Sequence, residues 1–228
     1  MKILIIIPAY NEGENIERVV ENLKNNYPQY DYLIVNDGSK DNTEEVCIKN
    51  GYTFVSHPVN LGLAGAFATG IKYAQLNKYD AAIQFDGDGQ HEPKYIADMA
   101  ERIQNGADIS IGSRFVSEKK PKTLRMLGSN LITTAILLTT GKKIKDPTSG
   151  MRMYNKKIID VLANTLDLGP EPDTIALLVR KGAKIEEVQV TMYERIAGTS
   201  YLNLPRSINY MLRMFTSILI LQWFRKGK

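Results

Sequence analysis

The stretch "IQFDGDGQHEP", Ile83 to Pro93, leaves an apolar run and places Asp86, Asp88, Gln90 and His91 within six positions. An apolar segment that ends in this way reads as a buried strand delivering polar residues to a turn. Asp and Gly are ordinary turn formers, so a plain turn is one reading. The other is a metal site. Two carboxylates one glycine apart, with the Gln90 amide oxygen beside them, suit a hard divalent cation whose other positions go to water and substrate phosphates. The stretch alone leaves both readings open.

Working outward, the chain alternates between two periodicities. "KILIIIPAY" is a strand pattern stopped at Pro8, and Ile16, Val19, Val20 and Leu23 then recur at helical spacing. "YDYLIVNDGS" is a second strand, "KDNTEEVCIKNG" a helix stopped by Gly51, and "YTFVSHP" a third, short strand. "NLGLAGAFATGIKYAQL" is a Gly-rich turn entering a helix, "YDAAIQFDGDG" a fourth strand, "PKYIADMAERIQNG" a helix and "ADISIGSRF" a fifth strand. Alternating strands and helices predict an α/β fold, a Rossmann-like, mostly parallel sheet with helices on both faces. Ligands of such sheets bind beyond the carboxyl ends of the strands. Pro8 to Glu12, Asn36 to Ser39, Asp86 to His91 and Gly112 to Arg114 all fall at those ends, so one sheet edge gathers the polar residues. Beyond Phe115 we expect a long, unusually apolar helix, "TLRMLGSNLITTAILLTTG". A turn and a helix follow in "KIKDPTSGMRMYNKKIIDVL", then a helix ended by Gly182, a strand, a loop and a last apolar stretch from Arg206.

At 228 residues, 43% hydrophobic and 24% charged, the chain is long enough for one α/β domain with a large core. Its single cysteine, Cys47, forms no internal disulfide, which points to a reducing compartment. The apolar run after Met1 is too short for a signal peptide. Charge is unevenly spread. Arg114 to Lys145 holds eight Lys/Arg and one acid, Glu118, and Arg206 to Lys228 holds five Lys/Arg and no acid. The net charge of +4 thus divides into +12 in these segments and −8 elsewhere. An acidic body with two basic, partly apolar segments suits an anionic partner there.

Several chemistries are excluded by pattern. No G-x-x-x-x-G-K loop occurs, which argues against a P-loop nucleotidase, and no G-x-G-x-x-G follows the first strand, which argues against a dinucleotide cofactor. The two histidines, His57 and His91, lack zinc-site spacing. His57 reads as structural and His91 stays unassigned.

Seven motifs occur in order: "PAYNE" at 8–12, "NDGS" at 36–39, "NLGLAGA" at 60–66, "DGDGQH" at 86–91, "GSR" at 112–114, "DPTSGMR" at 146–152 and "ERIAGTS" at 194–200. With these, the chain resembles the family 2 glycosyltransferases of GT-A fold, and among them the polyprenyl-phosphate glycosyltransferases, the group of dolichyl-phosphate mannose synthase. The resemblance covers roughly residues 2 to 202. It implies a catalytic unit over residues 1–203, of which about 115–145 forms acceptor- and membrane-facing helices. Residues 204–228 would add a basic amphipathic helix rather than a separate domain.

Carried over by position, the resemblance assigns Pro8, Tyr10 and Glu12 to the donor nucleotide and Asp37 to its base. It assigns Asp86, Asp88 and Gln90, with Gly87 between the carboxylates, to Mg²⁺ or Mn²⁺ on the donor diphosphate. Arg114 lies near the reacting phosphate, Arg125 and Ser129 bind the acceptor phosphate, and Arg195 contacts both. Asp88, Arg114 and Arg195 are thereby the expected catalytic residues. Tyr201 replaces the lysine common after the serine of the "ERIAGTS" motif, and Glu171 or Asp173 in "LGPEPD" is a candidate to face the sugar. The implied reaction is an inverting, metal-dependent transfer of a hexose from a nucleotide diphosphate sugar to a polyprenyl (undecaprenyl or dolichyl) phosphate, making a lipid-linked sugar for cell-surface glycan assembly. UDP-glucose-like donors and GDP-mannose both fit, with a UDP-sugar preferred. The alternatives are transfer to a glycan or glycolipid hydroxyl, which needs a base, and a sugar nucleotidyltransferase, whose Gly-rich first loop is missing. A nucleotide-sugar-binding scaffold without activity is disfavoured by the intact metal and phosphate positions. No nucleic-acid partner is expected.

A membrane-spanning helix needs about 20 apolar residues. "LITTAILLTT" and "MFTSILILQWF" are each about half that, with basic flanks, and suit helices lying in the membrane interface, with Trp223 beside Arg225 and Lys226 as an anchor. The competing reading packs both into a core or a dimer contact. Many bacterial relatives carry C-terminal spans, so the expectation here is a peripheral enzyme on the cytoplasmic face, with a membrane-spanning partner subunit or a homo-oligomer as further partners.

Overall fold

The structure is a computed structural model that describes residues 1–165, 168–193 and 204–220, the side chains of 124, 125 and 204–208 excepted. Arg195, Tyr201, Trp223, Arg225 and Lys226 lie outside the described residues.

The first strand, β1 (Ile3–Ala9), is almost wholly apolar, and both of its faces are covered. Leu4 and Ile6 pack against one helical layer and Ile3, Ile5 and Ile7 against the other. A strand that is apolar on both sides belongs at the centre of a sheet with helices on each face. It pairs in parallel with β2 (Asp31–Asn36) and with β4 (Ala81–Gln84), and β3 (Phe54–Ser56) lies beyond β2. Among the described residues the sheet has seven strands in the order β3-β2-β1-β4-β6-β5-β7, with β5 at Ile109–Ser113 and β7 at Ile185–Gln189.

One strand is missing from the sequence reading. The segment expected as a turn leading into a helix contains β6 (Arg152–Asn155), which inserts antiparallel between β4 and β5. At four residues and with a central-sheet arginine, it is too short and too polar for a periodicity signal. Its direction matters for function. An antiparallel strand presents its N-terminal end where its parallel neighbours present their C-terminal ends. The 146–151 loop before β6 therefore joins the edge that already carries the polar loops.

Helices α1 (Ile16–Asn26), α2 (Thr43–Lys49) and α4 (Ile96–Gln104) cover one face of the sheet. The α3 (Gly62–Leu76), α5 (Leu124–Thr140), α6 (Lys156–Ala163), α7 (Pro172–Arg180) and α8 (Leu204–Leu219) helices cover the other. The apolar run of α5 is divided. Ile132, Ala135 and Ile136 are fully buried, whereas Leu127, Leu131 and Leu138 are exposed. The same division holds at the chain's last described helix, with Met214 and Ile218 buried and Leu212 and Ile220 exposed. One flank of each helix is thus core, as the competing reading had it, and the other leaves leucines outward. No helix among the described residues is long and apolar enough to cross a membrane.

Candidate active site

The loop after β2 is built around Asn36 and Asp37. The Asn36 side chain accepts a hydrogen bond from the Ser39 N–H (3.2 Å) and donates to Ser56 Oγ (3.0 Å), and the Asp37 N–H donates to the Ala9 carbonyl (2.8 Å). Gly38, at φ +65°, lies so close to the 59–60 backbone that a Cβ would fall 2.6 Å from the Val59 carbonyl carbon. That approach lets the Leu61 N–H donate to Asp37 Oδ1 at 2.8 Å. His57 Nδ1 lies 2.8 Å from the same oxygen and His57 Nε2 lies 2.9 Å from Thr69 Oγ1. Asp37 is buried, and the hydrogen bonds it receives there offset the loss of water. His57 is thus more than a core histidine: it orients the aspartate expected to read the donor base. The sequence carries no local sign of this, since the two residues stand twenty apart and meet only through the fold.

Beside this loop lie the first-strand residues. The Asn11 N–H donates to Ser39 Oγ (3.0 Å), the Glu12 N–H to Thr43 Oγ1 (3.0 Å), and Asn15 Nδ2 to Glu12 Oε2 (2.8 Å). Tyr10 is exposed at the mouth. Gly87 packs against the Pro8 carbonyl and the Glu12 side chain, which links the first-strand loop to the acidic turn.

In that turn Asp86 is partly exposed and Asp88 is almost buried. The Gln90 N–H donates to Asp88 Oδ1 at 3.0 Å, which orders the turn around the carboxylate. His91, unassigned from sequence, receives a role. Its Nδ1 accepts from the Asp86 N–H (3.0 Å), so the ring proton resides on Nε2, 3.5 Å from Asp86 Oδ2. The ring is buried edge-on against Phe85, with centroids 5.5 Å apart. His91 therefore anchors the backbone of Asp86 and lies close to its carboxylate.

These residues pass a simple test for a divalent cation. Asp86 and Asp88 form an all-oxygen donor set, Asp86 opens outward, and the facing position is Gly150, whose absent side chain keeps that approach clear: a Cβ would stand 3.1 Å from Asp86 Oδ2. Among the described residues no group of three or more His, Cys, Asp and Glu forms a closed metal cage. A cation held here takes its other ligands from elsewhere, which is how Mg²⁺-type sites bind phosphate-bearing substrates.

Gly150 belongs to the loop before β6, and that loop reaches the second half of the site. Asp146 is fully buried and takes a bidentate pair from Arg114, Nε to Oδ2 at 2.7 Å and Nη2 to Oδ1 at 2.9 Å, plus the Arg114 N–H at 3.2 Å. Burial alone would raise its pKa, but the Arg114 hydrogen bonds and charge and the Thr148 hydroxyl more than offset this and hold the carboxyl below its ordinary range. Ser129, on α5, is buried, with its Oγ 3.5 Å from Thr148 Oγ1 and 3.0 Å from Lys120 Nζ. Arg125 precedes Ser129 by one helical turn on α5; its side chain is outside the described residues. Arg152 is the largest fully buried side chain and donates to the carbonyls of Ser149 (2.8 Å), Pro147 (2.7 Å) and Pro170 (2.6 Å). It thereby fastens the 147–149 turn to the segment before α7.

The two acids of that segment separate. Asp173 is buried and accepts from Ser217 Oγ at 2.6 Å, tying α7 to α8. Glu171 is half-buried against Gly169, and burial together with the neighbouring Asp173 raises its pKa. Of the pair, Glu171 is the more exposed, and Asp173 is committed to Ser217. Sequence reading gave no place to Lys120 or Asp146 and read His57 as structural; of the three, only Asp146 lay inside a recognised motif.

Comparison with known proteins follows the same lines. Residues 4–162 match the family described as glycosyl transferase family 2. A UDP-N-acetylglucosamine–dolichyl-phosphate N-acetylglucosaminyltransferase of Methanococcus voltae is 33% identical, over 96% of this chain and 96% of its own. An undecaprenyl-phosphate mannosyltransferase of Micrococcus luteus is 31% identical, over 88% of this chain and 87% of its own. Among solved structures, glucosyl-3-phosphoglycerate synthase from Mycobacterium tuberculosis, in complex with Mn²⁺, uridine diphosphate and phosphoglyceric acid, superposes with a TM-score of 0.71 at 18% identity, covering all of this chain and 80% of that one. At that identity the likeness speaks for the fold, which is GT-A.

Proposed function

The chain belongs to glycosyl transferase family 2, and on that premise we propose that it transfers a hexose from a nucleotide diphosphate sugar to a polyprenyl phosphate at a membrane surface. The observation that carries this reading is one loop. Residues 146–151 set Gly150 against the metal-suited carboxylate Asp86 and, four residues away, Asp146 against Arg114. A cation site for a departing diphosphate and a cationic, hydroxyl-rich site for an entering phosphate thus adjoin. Both relatives described above are named for transfer to a polyprenyl or dolichyl phosphate, which supports the same acceptor here.

In this reading an acceptor phosphate oxygen attacks the anomeric carbon, the bond from that carbon to the donor diphosphate breaks, and the configuration inverts. A phosphate monoester is largely ionised near neutral pH, with a second pKa of about 6. The chain therefore needs no general base, and none is assigned. Asp86 and Asp88, with Gln90 ordering the turn, would hold Mg²⁺ or Mn²⁺. When bound, the cation supplies Lewis-acid neutralisation of the charge gathering on the diphosphate. Asp37, held by His57 and Leu61, takes the base, while Pro8, Tyr10 and Glu12 border the nucleotide. Arg114 is preorganised by its bidentate pair with Asp146, so its orientation costs nothing at the moment of reaction. Arg125, Ser129 and Arg195 complete the phosphate contacts. A uridine donor is favoured, in line with the Methanococcus voltae relative's name. We read the exposed leucines of α5 and α8 as a face lying on the cytoplasmic side of a membrane, where the lipid acceptor resides.

The test is a donor screen. The protein is incubated with UDP-glucose, UDP-N-acetylglucosamine or GDP-mannose, Mn²⁺ and a short-chain polyprenyl phosphate in detergent, and products are read by mass spectrometry. A polyprenyl-phosphate sugar from at least one donor is expected. Transfer only to a hydroxyl-bearing glycolipid would replace this reading with the hydroxyl-acceptor alternative.

A further inference from the structure

Resting on that reading, we propose that Lys120 is a direct ligand of the acceptor's phosphate monoester. Lys120 lies in the segment between β5 and α5, within the run "SEKKPK". A charge run of this kind is ordinarily solvated surface. Lys120 departs from that: it is only partly exposed, and its ammonium turns inward to Ser129 Oγ (3.0 Å) and Thr133 Oγ1 (3.3 Å) on α5. Its stem also brings the charge 5.5 Å from the Phe115 ring centroid.

No carboxylate forms an ion pair with Lys120 among the described residues. The nearby anions are already engaged. Asp146 is bound on both oxygens by Arg114, and Glu187 accepts the N–H groups of Lys145 (2.8 Å) and Asp146 (2.9 Å). Arg114 and Lys143 balance Asp146 and Glu187 in charge, so Lys120 leaves this group net positive, with neutral hydroxyls around its ammonium. A partly buried cation without a partner costs free energy unless an anion compensates it. Burial, with Arg114 and Lys143 nearby, holds the Lys120 pKa below its ordinary value despite Asp146 and Glu187, which fits a cation awaiting an anion.

The geometry selects the anion. Ser129 offers a hydroxyl proton, those of Thr133 and Thr148 being given to the Ser129 carbonyl (3.0 Å) and to Asp146 (3.2 Å), and Arg114 offers a guanidinium on the adjacent side. Tetrahedral phosphate oxygens accept from both kinds of donor. A phosphate monoester on a lipid and one on a soluble metabolite share this chemistry, and the outward leucines of α5, with the exposed Lys142 and Lys143 just past its end, favour the lipid.

The test compares wild type with Lys120→Met and Lys120→Arg, using short-chain polyprenyl phosphate or glycerol 3-phosphate as acceptor. Lys120→Met should raise the KM for polyprenyl phosphate at least tenfold with the donor KM within twofold, and Lys120→Arg should stay within about threefold of wild type, as expected for loss and retention of one charge-assisted contact. An unchanged acceptor KM in an active Lys120→Met, or an equal rise in both KM values, would overturn the proposal while leaving the reaction intact. A ³¹P titration of each acceptor with each variant supplies a reading independent of turnover. Lys120-dependent binding of polyprenyl phosphate without transfer would keep this site and refute the reaction. Binding indifferent to Lys120 refutes the site. Lys120-dependent binding of glycerol 3-phosphate alone would move the assignment to a soluble acceptor.

Discussion

Asp146 is the residue on which the proposed acceptor half of the site depends. It is fully buried, and all its stabilisation comes from Arg114, Thr148 and backbone donors. Removing one partner of a buried pair is costly, and because Arg114 is partly exposed the lower end applies, about 3 kcal/mol for Asp146→Asn. In a chain of this length that lowers Tm by roughly 6–12 °C, measurable by calorimetry. The pH dependence has a definite sign. The folded carboxyl sits below its ordinary value, so its contribution is complete above about pH 4 and is lost as pH falls further through the folded pKa. Wild type should therefore lose stability in that acid window more steeply than Asp146→Asn. His57 makes a different kind of prediction. Its Nδ1 holds Asp37, so His57→Leu should raise the donor KM about tenfold with kcat little changed, and His57→Asn, which can place an amide donor near the Nδ1 position, should recover most of the loss. Steady-state kinetics with saturating acceptor decides this. Neither contact was legible in the sequence, because each joins residues that only folding brings together. Asp86 and Asp88 stood out because they follow an apolar strand within a few residues, and Asp37 because it directly follows another, its role toward the base coming from the family motif.

The elements differ in how openly they are written. β1, β2, β4 and β5 announce themselves by short apolar runs ending in polar turns, and the rule that ligands sit beyond such ends located the site edge. β6 has no such signal, and its antiparallel insertion is what brings Asp146, Thr148 and Gly150 to that edge. α5 shows the limit of composition. Its run from Leu131 to Leu138 is apolar on both flanks, and only packing reveals that Ile132, Ala135 and Ile136 are core while Leu127, Leu131 and Leu138 point outward. Residues 127, 131 and 138 fall on one stripe of a helix. Replacing all three with glutamate should leave Tm within a few degrees, since exposed positions contribute little to folding. It should strongly reduce co-sedimentation with anionic vesicles. Retained vesicle binding would show that this stripe is not the membrane-facing one.

At the scale of the whole molecule, the proposed cation site would be shared between protein and substrate. Asp86 and Asp88 supply too few ligands for firm binding alone, so Mn²⁺ and donor nucleotide should bind cooperatively. UDP with Mn²⁺ at about 100 times the joint Kd should stabilise the fold by roughly 2.7 kcal/mol, a Tm rise of about 5–10 °C. Mn²⁺ alone, or UDP with EDTA, should raise Tm far less, and equal shifts in all three conditions would refute a shared site.

The proposed reaction rests on a phosphate acceptor. It is tested most directly by offering the enzyme, with Mn²⁺ and its donor, two lipids with the same polyprenyl tail, one ending in phosphate and one in a hydroxyl. Product mass and anomeric configuration are then read by mass spectrometry and NMR. Inverted sugar is expected on the polyprenyl phosphate only, and is lost in Asp88→Ala. Glycosylated polyprenol, or a product of retained configuration, would contradict it.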